Sequence, residues 1–199
     1  MHCDVTKEKE VSHAIMKAVQ IFGALHIAIP CAGIIVRDRT LSKKRSINLK
    51  LFKRLMDINL LGTVYVAKHA AMAMAKNDGV QGERGVLLLI SSLAAEDSAS
   101  GAVAYGASKA AVNGMLLPMA RDLGKYDIRV AAIQPAYFHT PMVDSTQAKL
   151  PQSLLMRTTP MGRFGRAHEC SHLAVSMIEN SYINGVAIRI DGATVGPHI

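Results

Sequence analysis

The sequence has 199 residues, of which 50% are hydrophobic and 19% are charged. This length and composition predict one domain over residues 1–199 and exclude a disordered chain, a collagen and a coiled coil. The net charge is +8. The segment from Arg37 to Arg54 carries most of it, because this segment is rich in Lys and Arg and contains a single acidic residue, Asp38.

Two interpretations of this basic segment stay open. The first is a solvated flap, which is how charge runs ordinarily behave. The second is a site for an anionic ligand such as a nucleotide or the phosphates of CoA. Two observations argue against nucleic-acid binding. The rest of the chain is nearly neutral, and there is no Trp and only 5% aromatic content to stack on bases.

The three cysteines, Cys3, Cys31 and Cys170, are widely spaced and form no C-x-x-C pair. We therefore predict no disulfide and no metal site, which fits a reducing compartment such as the cytoplasm. Apolar runs such as Val86–Ile90 are too short to cross a membrane. Asp4 follows Met1 too closely for a secretory signal peptide.

Helix-like and strand-like segments alternate along the chain. Apolar residues at helical spacing predict helices over Lys7–Phe22 (with Thr6 as N-cap), Asn48–Lys76, Tyr105–Leu123 and His168–Glu179, the last with Leu173, Ser176 and Met177 inward. Short apolar runs predict strands over Leu25–Ile29, Gly85–Ile90, Ile128–Ile133 and Val186–Ile190. This alternation predicts an α/β domain in which helices cover both faces of a parallel sheet.

Tyr105 and Lys109 lie four residues apart on a predicted helix, so both side chains can point into one site. An ammonium beside a phenol favours the phenolate, which predicts a lowered pKa for Tyr105 and a role as general acid or base. Ser92 follows the strand Gly85–Ile90, at the end of a parallel sheet where ligands bind. Asn59 is a poor helix former inside a long helix, which suggests a polar purpose.

Asn59, Ser92 and Tyr105-x-x-x-Lys109, in this order and spacing, resemble the catalytic set of the short-chain dehydrogenase/reductase family. Further likeness covers nearly the whole chain. Asp4-Val5 resembles the family's adenine-contacting pair, Cys31-Ala32-Gly33 its turn after the fourth strand, and the segment from Pro135 to Thr140 its nicotinamide-contacting loop.

The resemblance implies a Rossmann-like fold, NAD as cofactor and oxidation of a secondary alcohol such as a 3-hydroxyacyl-CoA or a hydroxysteroid. Ser92 and Tyr105 would contact substrate, with Tyr105 taking the proton, Lys109 bonding the ribose and Asn59 forming a proton relay through water. The residues implied to contact NAD are Asp4, Val5, Cys31, Ala32, Gly33, Tyr105, Lys109, Pro135, Phe138 and Thr140. The resemblance also implies a mitochondrial location and a homo-oligomer, whereas no residue between Phe138 and Gly165 identifies the substrate.

The sequence departs from the family pattern in three places, and the first departure favours an alternative, a catalytically impaired homologue that serves as a scaffold or assembly subunit. The family's glycine-rich pyrophosphate turn has no match, which suggests an incomplete doubly wound sheet lacking the first two βα units, with Leu25–Ile29 as an exposed edge that another chain could cover. Pro30 stands where the family usually has Asn, which predicts a looser sheet there. Ala136 follows Pro135 in place of Gly, which predicts strain if φ is positive at that residue.

Overall fold

The computed structural model describes residues 1–142 and 159–195. The strands are β1 (Ile27–Ala28), β2 (Gly85–Ile90), β3 (Ile128–Pro135) and β4 (Ala187–Ile190). The helices are α1 (Glu8–Phe22), α2 (Leu49–Met56), α3 (Gly62–Met74), α4 (Val103–Gly124) and α5 (Ala167–Glu179), with a π-helical turn at Asp57–Leu61 between α2 and α3 and a 3-10 turn at Leu93–Ala95. The predicted order of elements is confirmed, with ends that differ by a few residues.

The four strands form one parallel sheet in the order β1-β2-β3-β4. Successive side chains of a strand point to opposite faces, so Leu87 and Leu89 of β2 pack in a core with α3 and α4, whereas Leu88 packs in a second core with Met177 of α5. Helices therefore cover both faces, and the predicted α/β class is confirmed. None of the helices in the described ranges is long and apolar enough to cross a membrane.

Arg129 is a charged side chain buried where β3 passes beneath the end of α5. Its guanidinium donates to both carboxylate oxygens of Glu83, at 2.9 and 3.0 Å. It also donates to the carbonyls of Met177, Ile178 and Ile183 at 2.6–3.1 Å. A cation at the C-terminal end of a helix complements the helix dipole, so this side chain joins α5 to the sheet.

Three local predictions differ from the structure. The N-cap of α1 is Lys7, without a side-chain cap, because the hydroxyl of Thr6 donates instead to the carboxylate of Asp4 at 2.8 Å. Ser176 is exposed on α5, since apolar neighbours fill the contact with the sheet. The strain considered for Ala136 is absent, because that residue does not have a positive φ.

Within residues 1–142 and 159–195, β1 is the edge of the sheet and pairs only with β2. Its apolar side chains are partly open to solvent, with Ile27 43% and Ile29 39% exposed. Phe22, at the end of α1, is 79% exposed. An exposed apolar edge offers unpaired backbone groups and apolar area to another chain, as the sequence predicted.

We expect the 199-residue chain to self-associate through this edge. Replacing both Ile27 and Ile29 by Lys should lower the mass measured by size-exclusion chromatography with light scattering, because lysine on an edge strand opposes pairing. Val175→Lys is the matched control, since it removes an exposed apolar side chain from α5 on the other side of the sheet. A wild-type chain that stays monomeric at micromolar concentration would contradict the expectation.

Candidate active site

Tyr105 and Lys109 lie one turn apart near the start of α4, above the carboxyl end of β2. Lys109 is only 6% exposed. Its ammonium donates to the carbonyl of Ile90, the last residue of β2, at 2.8 Å. The same nitrogen lies 5.8 Å from the centre of the Tyr105 ring. The strand end therefore fixes the ammonium beside the phenol.

Ser92 completes the group, two residues after β2 ends. Its backbone is extended and its hydroxyl accepts a hydrogen bond from the Ala94 N–H at 3.2 Å, which starts the 3-10 turn. The Ser92 side chain is near enough to the Tyr105 phenol to lower the pKa of Tyr105 by hydrogen bonding. The structure thus brings together Ser92, Tyr105 and Lys109, as the sequence predicted.

Gly106 allows the turn after Ser92 to approach α4 closely. A Cβ at this position would lie 2.3 Å from the Ser98 hydroxyl oxygen and 3.0 Å from the Ala94 carbonyl oxygen. The first distance is too short for a carbon atom, and the second is a tight contact with backbone that cannot easily move. Glycine next to Tyr105 is therefore needed to keep the phenol within reach of Ser92.

The predicted lowering of the Tyr105 pKa is wrong for this arrangement. Burial raises the pKa of Tyr105 above its ordinary value, and the hydrogen bond with Ser92 only partly opposes that rise. The ammonium of Lys109 is directed to the Ile90 carbonyl rather than to the phenol oxygen. Burial also lowers the pKa of Lys109 to about 8, so its own charge is disfavoured.

Asn59 lies in the π-helical turn and is buried. Its side-chain oxygen accepts from the Ile34 N–H at 2.9 Å, and its NH₂ donates to the Ile34 carbonyl at 2.9 Å and to the Ser108 hydroxyl at 3.2 Å. Both of its donors are therefore engaged, and Asn59 joins the turn Cys31-Ala32-Gly33, which precedes Ile34, to α4. The proton relay through Asn59 stays a prediction.

Ser108 was not predicted from the sequence, although it belongs to this arrangement. It is fully buried, accepts from Asn59, and donates to the Tyr105 carbonyl at 2.7 Å. The available signal was a small polar residue on the same helix, directly before Lys109. The Ser108 hydroxyl therefore links the backbone carbonyl of Tyr105 to the side-chain amide of Asn59, which in turn bonds Ile34.

Asp4 and Val5, the residues predicted to meet adenine, precede α1. Val5 packs on α3, where a Cβ at Gly62 would lie 2.9 Å from that of Val5. The carboxylate of Asp4 accepts from the Thr6 N–H and hydroxyl, which lower its pKa. An ionised carboxylate can accept hydrogen bonds from an amine, which is the role implied for Asp4.

The predicted nicotinamide loop begins where Pro135 ends β3, beside the end of β2. Phe138 is buried, and a Cβ at Gly165 would lie 2.4 Å from the Phe138 ring. The ring therefore packs against the backbone at Gly165, and a cofactor contact of Phe138 would come from its backbone. Thr140 is half-buried two residues further on. Most of the segment between Phe138 and Gly165 lies outside the described residues.

The profile of the family described as Enoyl-(Acyl carrier protein) reductase matches residues 1–194. With this match and the Ser92, Tyr105 and Lys109 geometry, the chain belongs to the short-chain dehydrogenase/reductase family. Its sequence is 41% identical over 193 residues to 3-hydroxyacyl-CoA dehydrogenase type-2 of Homo sapiens, an alignment that covers 96% of this chain and 74% of that protein.

Solved structures agree with this assignment. The 3-hydroxyacyl-CoA dehydrogenase type-2 from Mycobacterium avium is 34% identical with a TM-score of 0.88, over 97% of this chain and 75% of that chain. A 7α-hydroxysteroid dehydrogenase in complex with NADH and a 7-oxo bile acid is 27% identical with a TM-score of 0.88, over 98% and 73%. ElxO with NADP bound is 25% identical with a TM-score of 0.85, over 96% and 76%.

We predict that Asn59→Ala lowers the free energy of unfolding by about 2–4 kcal/mol, because it leaves the Ile34 N–H and carbonyl without their partner. Urea unfolding measures the loss, and hydrogen exchange should show faster exchange of the Ile34 amide. Gln20→Ala, on the exposed surface of α1, should change stability by less than about 0.5 kcal/mol. Unchanged stability of Asn59→Ala would show that the bridge is not needed.

Lys109→Met should stabilise the fold near neutral pH. The lowering of the Lys109 pKa from 10.5 to about 8 corresponds to roughly 3 kcal/mol of unfavourable charge burial, and loss of the bond to Ile90 offsets about 1 kcal/mol. Between these two pKa values the unfolded chain holds a proton that the folded chain has released, so wild-type stability rises with pH across that window.

The advantage of Lys109→Met over wild type should therefore shrink as the pH rises from about 8 toward 10.5. Urea unfolding near neutral pH and near pH 10 measures the difference between the two proteins, in which the titrating groups that do not interact with Lys109 cancel. Lys125→Met, at the exposed end of α4, is the matched control and should show no such change. A Met variant that is less stable than wild type at neutral pH would contradict the prediction.

Proposed function

We propose that the chain catalyses NAD-dependent oxidation and reduction between a secondary alcohol and a ketone, with a 3-hydroxyacyl-CoA or a hydroxysteroid as the substrate class. The observation that carries this proposal is the grouping of Ser92 and Tyr105 with the Lys109 ammonium, which lies 5.8 Å from the centre of the Tyr105 ring. The substrate class is supported by the human and mycobacterial relatives and by the bile-acid complex.

In the proposed reaction, Ser92 orients the substrate oxygen and Tyr105 moves the proton. As a phenolate, Tyr105 takes the proton of the alcohol, and as a phenol it gives a proton to a ketone oxygen. A bound nicotinamide accepts or supplies the hydride. Because burial raises the pKa of Tyr105, the phenol form is favoured at neutral pH, and alkaline conditions should favour alcohol oxidation.

The described residues fit a nicotinamide dinucleotide at both ends. The Lys109 ammonium, beside Tyr105, has donors for the hydroxyls of a ribose, and the Asp4 carboxylate is an acceptor for the amine of adenine. Family neighbours hold NADH in one structure and NADP in another. NAD is the cofactor that we propose, on the basis of the resemblance to the 3-hydroxyacyl-CoA dehydrogenases, and the same resemblance supports a mitochondrial location.

A second candidate function is a scaffold with impaired catalysis. The observation in its favour is that the 199 residues contain no glycine-rich turn to cradle a pyrophosphate. Calorimetric titration with NAD separates the two candidates. Micromolar binding would support the enzyme, and no heat at millimolar NAD would support the scaffold.

We predict that Tyr105→Phe lowers turnover of a 3-hydroxyacyl-CoA by at least about 100-fold, since positioned proton transfer contributes 10²–10⁴-fold in enzymes. The measurement is the change in nicotinamide absorbance with NAD and substrate, alongside thermal unfolding to confirm that the variant is folded. Tyr182→Phe, at a fully exposed position after α5, is the matched control. If Tyr105→Phe keeps the wild-type rate, the proton-transfer role is wrong.

A further inference from the structure

Asn113 of α4 and Gln134 of β3 form a polar pair beside an apolar core. The Asn113 NH₂ donates to the side-chain oxygen of Gln134 at 3.1 Å. Gln134 is only 1% exposed, and Ala132, two residues earlier on the same face of β3, packs in the core with Val112 and Leu116 of α4. A glutamine in such a place needs partners for both of its polar atoms, because burying an unpaired polar group is unfavourable.

This pair leaves one donor and one acceptor unused. Within the described part of the chain, neither the Gln134 Nε2 nor the Asn113 Oδ1 has a hydrogen-bond partner, although both atoms are shielded from solvent. Turning over both side-chain amides keeps the bond between them and leaves the other nitrogen and the other oxygen unpaired, whereas turning over one alone opposes two like atoms. Every favourable arrangement therefore has one free amide nitrogen and one free amide oxygen.

A small neutral molecule that both accepts and donates hydrogen bonds would complete the pair. Water does both, and ordered waters commonly satisfy buried polar groups in this way. It would accept from the Gln134 Nε2 and donate to the Asn113 Oδ1. A metal cation does not match, because one of the two free groups is an N–H donor.

A third polar side chain lies next to the pair. β2 and β3 are in register at Ile90 and Ile133, so the residues that follow, Ser91 and Gln134, are neighbours on adjacent strands. Ser91 is buried, and its hydroxyl donates to the backbone carbonyl of Lys109 at 3.3 Å. Because a hydroxyl oxygen can also accept, Ser91 is available as a further acceptor beside the two amides.

The pair joins the two parts of the chain that the proposed reaction has to align. Asn113 is one helical turn after Lys109 and two turns after Tyr105, so the three side chains lie on one face of α4. Lys109 ties this face to the end of β2. The bond to Gln134 ties it instead to β3, and Gln134 directly precedes Pro135, where the predicted nicotinamide loop begins.

We propose that Asn113 and Gln134 hold one internal water molecule, and that this water-bridged pair is a positioning site that fixes Tyr105 relative to the loop beginning at Pro135. The positioning role rests on the proposed function through the part given to Tyr105, whereas the water site rests on the two amides alone. The pair acts through the backbones of α4 and β3 and takes no part in proton transfer.

A high-resolution crystal structure of the full chain tests the water site. We expect an ordered water within about 3.2 Å of one atom of each amide. The double variant Asn113→Leu with Gln134→Met replaces both amides by apolar side chains of similar size and should lack this water. A wild-type structure without an ordered water there, or a double variant that keeps it, would overturn the site.

Urea unfolding tests whether the two amides act as a unit. Each single variant leaves polar atoms of the remaining amide unpaired, whereas the double variant removes all of them together. Gln134→Met and Asn113→Leu should therefore each unfold at a lower urea concentration than the double variant. A double variant that is less stable than either single variant would contradict a coupled pair.

Steady-state kinetics with NAD and a 3-hydroxyacyl-CoA test the positioning role. The double variant should lose at least about tenfold in kcat while the KM for NAD changes by less than about threefold, because misplaced reacting groups slow the chemical step. Asn77→Leu is the matched control, since the Asn77 amide joins Leu25 to Arg84 at the opposite end of β2. It should lower stability and keep kcat. An unchanged kcat in the double variant, or an equal loss in Asn77→Leu, would refute the role.

These outcomes can be separated from that of the proposed function. A Tyr105→Phe variant with undiminished turnover would refute the proton-transfer role and leave the water site unaffected. Lost turnover in Tyr105→Phe together with an unchanged kcat in the double variant would refute the positioning role alone. A wild-type chain without turnover would refute the proposed function and, with it, the positioning role, and the crystal structure would still decide the water site.

Discussion

The burial of one ammonium governs the arrangement of the site. Lys109 is almost inaccessible to water, and its hydrogen bond to Ile90 ties the start of α4 to the end of a core strand. Removing a charge from water is unfavourable, and the lowered pKa of Lys109 shows that unfavourable effect. A methionine would fill the same space without the unfavourable free energy of burying a charge. The position is therefore better suited to holding a cation beside Tyr105 than to stability.

Around that ammonium, small and polar residues hold the reacting groups in place. Gly106 lets the turn after Ser92 reach α4, while Ser108 and Asn59 connect α4 to the segment that follows β1. Rigid support of this kind holds Tyr105 close to Ser92, which is the condition that the proposed proton transfer requires. The positions of Ser92, Tyr105 and Lys109 thus depend on these neighbouring residues.

Much of this could be predicted from the sequence, because periodicity and spacing report local structure. The apolar run Gly85–Ile90 gave the bounds of β2, and the four-residue interval between Tyr105 and Lys109 placed both on one helical face. The direction of the Tyr105 pKa could not be predicted, since it depends on where the ammonium points and on how deeply the phenol is buried. The partners of Asn59 were equally inaccessible, because Ile34 and Ser108 are 25 and 49 residues away along the chain.

The turn Cys31-Ala32-Gly33 receives little support from the sheet. β1 leads into this turn with only two residues in the sheet, and among the described strands it pairs with β2 alone. The hydrogen bonds between these strands therefore contribute little to holding the turn. Pro30, which cannot donate a backbone hydrogen bond, lies between strand and turn. The position of the turn therefore depends on the side chain of Asn59, which holds Ile34 through both its N–H and its carbonyl. In this fold the buried side-chain amide of Asn59 holds the turn in place, as the hydrogen bonds of a longer strand would otherwise do.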